Sequence, residues 1–116
     1  MSVRIYHNSR CSKSRGTLEL LQSRGIEPEV VNYLDTPPSV DELGNLLDLL
    51  GMTPRQLLRT GEAEYRELGL DDPAVSDQAI LQAMASHPKL IERPIVVVDA
   101  RAAIGRPPEA VLAILP

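Results

Sequence analysis

The sequence is short of cysteine, of aromatic residues and of long apolar runs. There is one cysteine, Cys11. A lone cysteine excludes a disulfide within the chain and a metal site built from cysteines alone. Such scarcity fits a reducing cytoplasm. Trp and Phe are absent and Tyr occurs three times, at Tyr6, Tyr33 and Tyr65. The core must therefore be aliphatic, and seventeen Leu residues can supply it. Apolar runs such as Val111-Leu-Ala-Ile-Leu115 fall far short of the roughly 20 residues that cross a bilayer. The N-terminal Met1-Ser-Val-Arg-Ile-Tyr6 lacks the charged-then-apolar pattern of a signal peptide. The expectation is a cytoplasmic chain with no membrane segment.

What is present is an ordinary globular composition, 43% apolar and 24% charged over 116 residues. That length suits one domain, spanning 1–116. The net charge of −4 argues against general nucleic-acid binding. The charge is unevenly spread. Residues 1–18 hold Arg4, Arg10, Lys13 and Arg15 with no acid, which puts a local positive field around the only cysteine. Residues 61–77 hold six acids against Arg66.

Val3-Arg-Ile-Tyr-His7 reads as a strand from its β-branched alternation. Asn8-Ser-Arg10 is a turn, and a helix from Cys11 to Arg24 carries Cys11, Ser14, Leu18 and Leu21 on one face before Gly25 stops it. Glu29 to Tyr33 forms a second strand, so the first third is a parallel βαβ unit. Beyond Thr36-Pro-Pro38, Ser39 and Glu42 form a capping box ahead of Leu43, Leu46, Leu47 and Leu50. Thr53-Pro54 opens a short helix. The acidic stretch beyond it reads as short helical turns and loops, and Ser76 caps a further helix ending near His87-Pro88. Ile95 to Val98 is a buried strand. Residues 99–104 return as its hairpin partner, and Pro107-Pro108 begins a last helix. The order βαβ, helices, ββα is that of an α/β, thioredoxin-like fold with a helical insertion at about 39–87.

Cys11 is the first candidate for chemistry. A lone cysteine is often a small buried hydrophobe, but this one sits after a strand and a turn at a helix start. There the unpaired N–H groups and the helix dipole favour a thiolate. Ser12 and Ser14 can donate hydrogen bonds to the sulfur or to a bound anion. Cys11-Ser-Lys-Ser14 is C-x-x-S, so no dithiol exchange within the chain is possible. His7, four residues before Cys11, can influence the thiolate or orient the loop. Arg59, Arg93 and Arg106 each lie at a break in regular structure. Pro94, at the entrance to the core strand, stands where a thioredoxin-like layout commonly places a cis-proline.

The segment His7-Asn-Ser-Arg-Cys11-Ser-Lys-Ser-Arg15 resembles the active-site segment of the ArsC-type, glutaredoxin-linked arsenate reductase family. The resemblance extends through Tyr33-Leu-Asp-Thr-Pro-Pro38, Leu57-Leu-Arg59, Leu68-Gly-Leu70, His87-Pro-Lys-Leu-Ile-Glu-Arg-Pro-Ile-Val-Val97 and Gly105-Arg-Pro-Pro108. It implies that Cys11 is the nucleophile, that His7 influences its thiolate and that Ser14 supplies a nearby hydroxyl. It implies that Arg59, Arg93 and Arg106 gather around the oxyanion, with Pro94 following the second arginine. It implies no metal and no bound cofactor, arsenate or a similar oxyanion as substrate, and glutathione and glutaredoxin as external reductants. The chain departs from the archetype at Ser9, where that enzyme has Pro, and in ending at Ile114-Leu-Pro116 without its longer tail. Two other readings share the fold. One is a thiol oxidoreductase acting on another substrate. The other is a Spx-like regulator that binds RNA polymerase, although such regulators usually carry the C-x-x-C missing here.

Overall fold

The computed structural model describes residues 2–115; Met1 and Pro116, the two ends of the expected 1–116 domain, lie outside the described residues. The elements run β1 (Val3–His7), α1 (Ser12–Ser23), β2 (Glu29–Asn32), α2 (Val40–Leu50), α3 (Pro54–Leu57), α4 (Ala63–Glu67), α5 (Asp77–Ser86), β3 (Ile95–Val98) and β4 (Arg101–Ile104). Short 3-10 segments cover Pro88–Leu90 and Pro108–Ile114. The chain forms two compact units, one from the residues before Pro37 together with those from Arg93 onward, the other Pro37–Glu92.

The first unit is a four-stranded sheet of order β2-β1-β3-β4. β1 runs parallel to β2 and antiparallel to β3, and β3 pairs antiparallel with β4. This is the thioredoxin-like pattern of a parallel βαβ unit joined to a hairpin. The hairpin turns at Asp99, which adopts a positive φ of 51°. Asp99 is also tied to the start of β1, its N–H donating to the Ser2 carbonyl and its carboxylate accepting from Ser2 N, both at 2.9 Å. The core joins Ile5, Leu21, Val96, Val98 and Val111, with Leu18 and Leu20 packed on it. Among the described residues, no aromatic ring enters this cluster.

Two local expectations change. Alternation in β1 implies one buried face, yet Ile5, Tyr6 and His7 are all buried. Tyr6 stands opposite buried Ile95 of β3, so both faces of β1 are buried at this end and its alternation marks no solvent side. The closing helix is a 3-10 helix, Pro108–Ile114, with no side-chain cap at its start. Its bonds are of the i to i+3 type, such as Ala110 N to Pro107 O at 2.9 Å. A short segment entered through two prolines has neither a cap nor the length to settle into α geometry.

The second unit is helical. Ser39 Oγ accepts from Glu42 N and begins α2, and Gly51 ends it in the left-handed region at φ 66°. Thr53 and Gln56 close a full capping box on α3. Ser76 caps α5 by accepting from Ala79 N. α2 and α3 both pack on α5, and Leu43, Leu46, Leu47, Leu57, Ile80 and Met84 are buried. Among the described residues, no helix is long and apolar enough to cross a membrane.

Candidate active site

β1 delivers His7 to the end of the sheet, and the chain turns at Asn8-Ser9-Arg10 into α1. Cys11 is the N-cap residue of α1, in extended conformation. Its N–H closes the turn by donating to the Asn8 carbonyl at 3.0 Å, and its carbonyl accepts from Arg15 N at 3.0 Å. The thiol is half-buried. Burial alone pushes the Cys11 pKa up, but the Ser14 N–H, the Arg93 guanidinium and the Lys13 N–H outweigh it, so the net shift is downward. No first-turn amide completes a full cap bond to the sulfur. The Ser14 and Lys13 N–H groups nonetheless act on it as weak donors, as expected of the orphan amides at a helix start.

Arg93 and Arg106, from the C-terminal part of the same unit, also reach the sulfur. Arg93 donates to it and adds its charge. Arg106 Nη1 lies 3.8 Å from Cys11 Sγ and donates to the Arg93 carbonyl at 3.1 Å. The peptide bonds Arg93–Pro94 and Arg106–Pro107 are both cis, which places the cis-proline where the thioredoxin-like layout leads one to expect it. Gly105 N donates to the Pro94 carbonyl at 2.9 Å, tying the two arginine-bearing turns together.

His7 and Ser14 meet, but in a way the sequence did not indicate. Ser14 Oγ lies 2.6 Å from His7 Nδ1 and accepts from Asn8 N at 3.0 Å. Burial, aided by the Arg15 charge, lowers the His7 pKa. The ring and the Ser14 hydroxyl share this hydrogen bond, and the ring's tautomer sets which of the two donates. Ser14 therefore acts on the sulfur through its backbone N–H, while its hydroxyl staples the turn to β1. Arg59 lies in the helical unit and is ion-paired there, with Glu92 Oε1 at 2.6 Å and Glu62 Oε1 at 3.5 Å. Among the described residues, no group of three or more His, Cys, Asp or Glu could hold a metal ion.

Two residues outside the sequence-derived set help build the site. Thr17 is fully buried; its hydroxyl donates to the Lys13 carbonyl at 2.8 Å and lies 3.4 Å from the Gly105 carbonyl. A Cβ on Gly105 would collide with Thr17 and stand 2.8 Å from Pro94 Cγ. The missing side chain at 105 is what lets the Arg106 turn pack against α1. Thr17 stands three residues after Ser14 and four before Leu21, so the α1 face was legible, whereas its partner 88 residues away was not.

A thioredoxin-like sheet, with one activated thiol at the start of its first helix and two guanidinium groups on that thiol, defines a single-cysteine thiol protein. The ArsC family model matches residues 6–114, and the chain belongs to the ArsC family. It is 56% identical over 114 residues to the uncharacterized protein YfgD of Escherichia coli K12, covering 97% of this chain and 96% of that one. It is 50% identical to a protein named arsenate reductase from Neisseria meningitidis, covering 97% of each. The solved arsenate reductase from Vibrio cholerae superposes with a TM-score of 0.96 at 57% identity, covering 99% of this chain and 98% of that one.

Proposed function

We propose that the protein reduces arsenate to arsenite in the cytoplasm, with Cys11 as nucleophile and glutathione and glutaredoxin as external reductants. The observation that carries this reading is the pairing of the Cys11 sulfur with Arg93 and Arg106 at the start of α1. The names of several relatives near 50% identity support it. The helical unit then serves as an insertion in a single functional domain, and Arg59 joins Arg93 and Arg106 as a ligand of the oxyanion.

A tetrahedral oxyanion suits a helix N-terminus and guanidinium forks. The Cys11 thiolate attacks arsenic, an S–As bond forms, and one oxygen leaves as water. Charge building on the remaining oxygens is met by the arginines. The glutathione thiol replaces a second oxygen, again released as water. The glutaredoxin thiolate then attacks the glutathione sulfur. Its As–S bond breaks with the electron pair left on arsenic, and the glutathione–glutaredoxin disulfide departs. Hydrolysis of the last S–As bond returns one oxygen, frees arsenite and restores the Cys11 thiolate. His7 and Ser14 hold the turn that presents the sulfur, and Pro94 supports Arg93. No resident metal or redox cofactor takes part.

The test is arsenate-dependent NADPH consumption coupled through glutathione, glutaredoxin and glutathione reductase. Wild-type protein is expected to turn over and Cys11→Ser to be silent. Equal rates for the two, or no arsenate dependence, would overturn the proposal.

A further inference from the structure

A polar cavity of about 310 Å³ opens beside the Cys11 turn, on the β1–β2 side of the sheet. Its walls include His7, Asn8, Arg10, Asn32, Leu34 and Asp35. All come from two neighbouring places, the end of β1 with the turn after it and the end of β2 with the turn after it. Parallel pairing sets His7 opposite Asn32, so both turns leave the sheet at the same end. The volume lies at the low end of the roughly 300–1,000 Å³ usual for small-molecule sites.

The charges in this cavity are of opposite sign. Arg10 and Asp35 are both exposed, and among the described residues neither forms an ion pair of its own. Asn8 Oδ1 is occupied by the Arg10 N–H at 3.0 Å, which leaves the Asn8 amide nitrogen as a donor. Asn32 adds a second side-chain amide. A simple oxyanion would be drawn by Arg10 and repelled by Asp35. A zwitterionic peptide uses both, with a carboxylate on the guanidinium fork and an ammonium on the aspartate. Its amide groups meet the asparagines, and half-buried Leu34 offers an apolar surface.

Resting on the reading that an external thiol completes the cycle, we propose that this cavity is the seat of glutathione. The ligand carries the carboxylates, the ammonium and the two peptide groups that this lining complements. Arg10 is adjacent in sequence to Cys11, so a carboxylate held there lies within one short peptide's reach of the reacting sulfur. His7 walls the cavity and is bonded to Ser14 of the nucleophile's own helix. The oxyanion meets the arginines at the sulfur, and the thiol arrives from a separate direction.

The probe is S-methylglutathione, which has the recognition groups but no reactive sulfur. Its binding to wild-type protein, Asp35→Asn and Arg10→Gln is followed by calorimetry and by amide chemical-shift changes. Binding is expected at millimolar concentration or better, with shifts at Asn8, Arg10 and Asn32. Each variant should weaken it about tenfold or more. In the coupled assay, Asp35→Asn should raise KM for glutathione while leaving KM for arsenate and kcat unchanged. Unaltered affinity in both variants, shifts confined to another face, or no binding to wild type would each overturn the site. If arsenate turnover is absent but the probe binds at these residues, the reductase reading fails and the glutathione site stands.

Discussion

Cys11 is pushed toward the thiolate against the cost of its own burial. Removing a thiolate from water raises its pKa, and here the Ser14 N–H, Arg93 and the Lys13 N–H more than return that loss. The positive residues nearest in sequence, Arg10, Lys13 and Arg15, suggested this outcome. The side chain that contributes most to it is Arg93, 82 positions away. Alkylation of Cys11 by a neutral reagent, followed against pH, is expected to titrate below the ordinary thiol value of about 8.5. Arg93→Ala should move the midpoint upward, because a hydrogen bond and a charge are both removed. A wild-type midpoint at the ordinary value, or one indifferent to Arg93, would refute this account. The same shift has a sign for stability. Between the folded and the ordinary pKa, the unfolded chain holds a proton that the folded chain has released, so stability rises with pH across that window. The contribution is complete above the ordinary value and is lost as pH falls through the folded one. Cys11→Ser should flatten that part of the stability curve in urea unfolding.

At the scale of elements, the site depends on one close approach. The turn that carries Arg106 packs on α1 only because residue 105 has no Cβ. Gly105→Ala is expected to cost about 1–3 kcal/mol in denaturant unfolding, the usual penalty of overpacking. It should also slow arsenate turnover by displacing Arg106. Wild-type stability together with wild-type activity would show that the turn relaxes freely. This contact also marks what a sequence conveys and what it does not. Ser39 with Glu42, Thr53 before Pro54, and Ser76 ahead of its apolar stripe could be read directly, because a cap is decided within four residues. The β1–α1–β2 unit was legible for the same reason, through its periods and its glycine stop. The pairing of Thr17 with Gly105 leaves no local trace, and nothing around Arg106 reports that its side chain ends at Cys11. The breaks in regular structure single out Arg59, Arg93 and Arg106; their role comes from the family resemblance, and the placing of Arg93 and Arg106 at the sulfur from the fold. The closing helix is legible as a helix, but its 3-10 geometry is not, because a short apolar run after two prolines looks the same for either helix type.

On the scale of the whole molecule, the decisive quantity is one sulfur nucleophile in 116 residues. Reducing arsenate to arsenite requires two electrons, and thiols supply them by ending as a disulfide. A chain with two suitably placed cysteines can supply both electrons itself and release one arsenite per molecule before any reductant is added. This chain cannot. In a single-turnover experiment with excess arsenate and no other thiol, the expected yield of arsenite per protein molecule is zero, although Cys11 should become protected from alkylation as the adduct forms. Adding glutathione and glutaredoxin should then release arsenite and return the alkylatable thiol in step. Arsenite appearing at one equivalent before any thiol is added would require a second electron donor within the chain and would remove the need for external resolution. Protection without release, relieved only by the added thiols, would place the second half of the reaction outside the molecule.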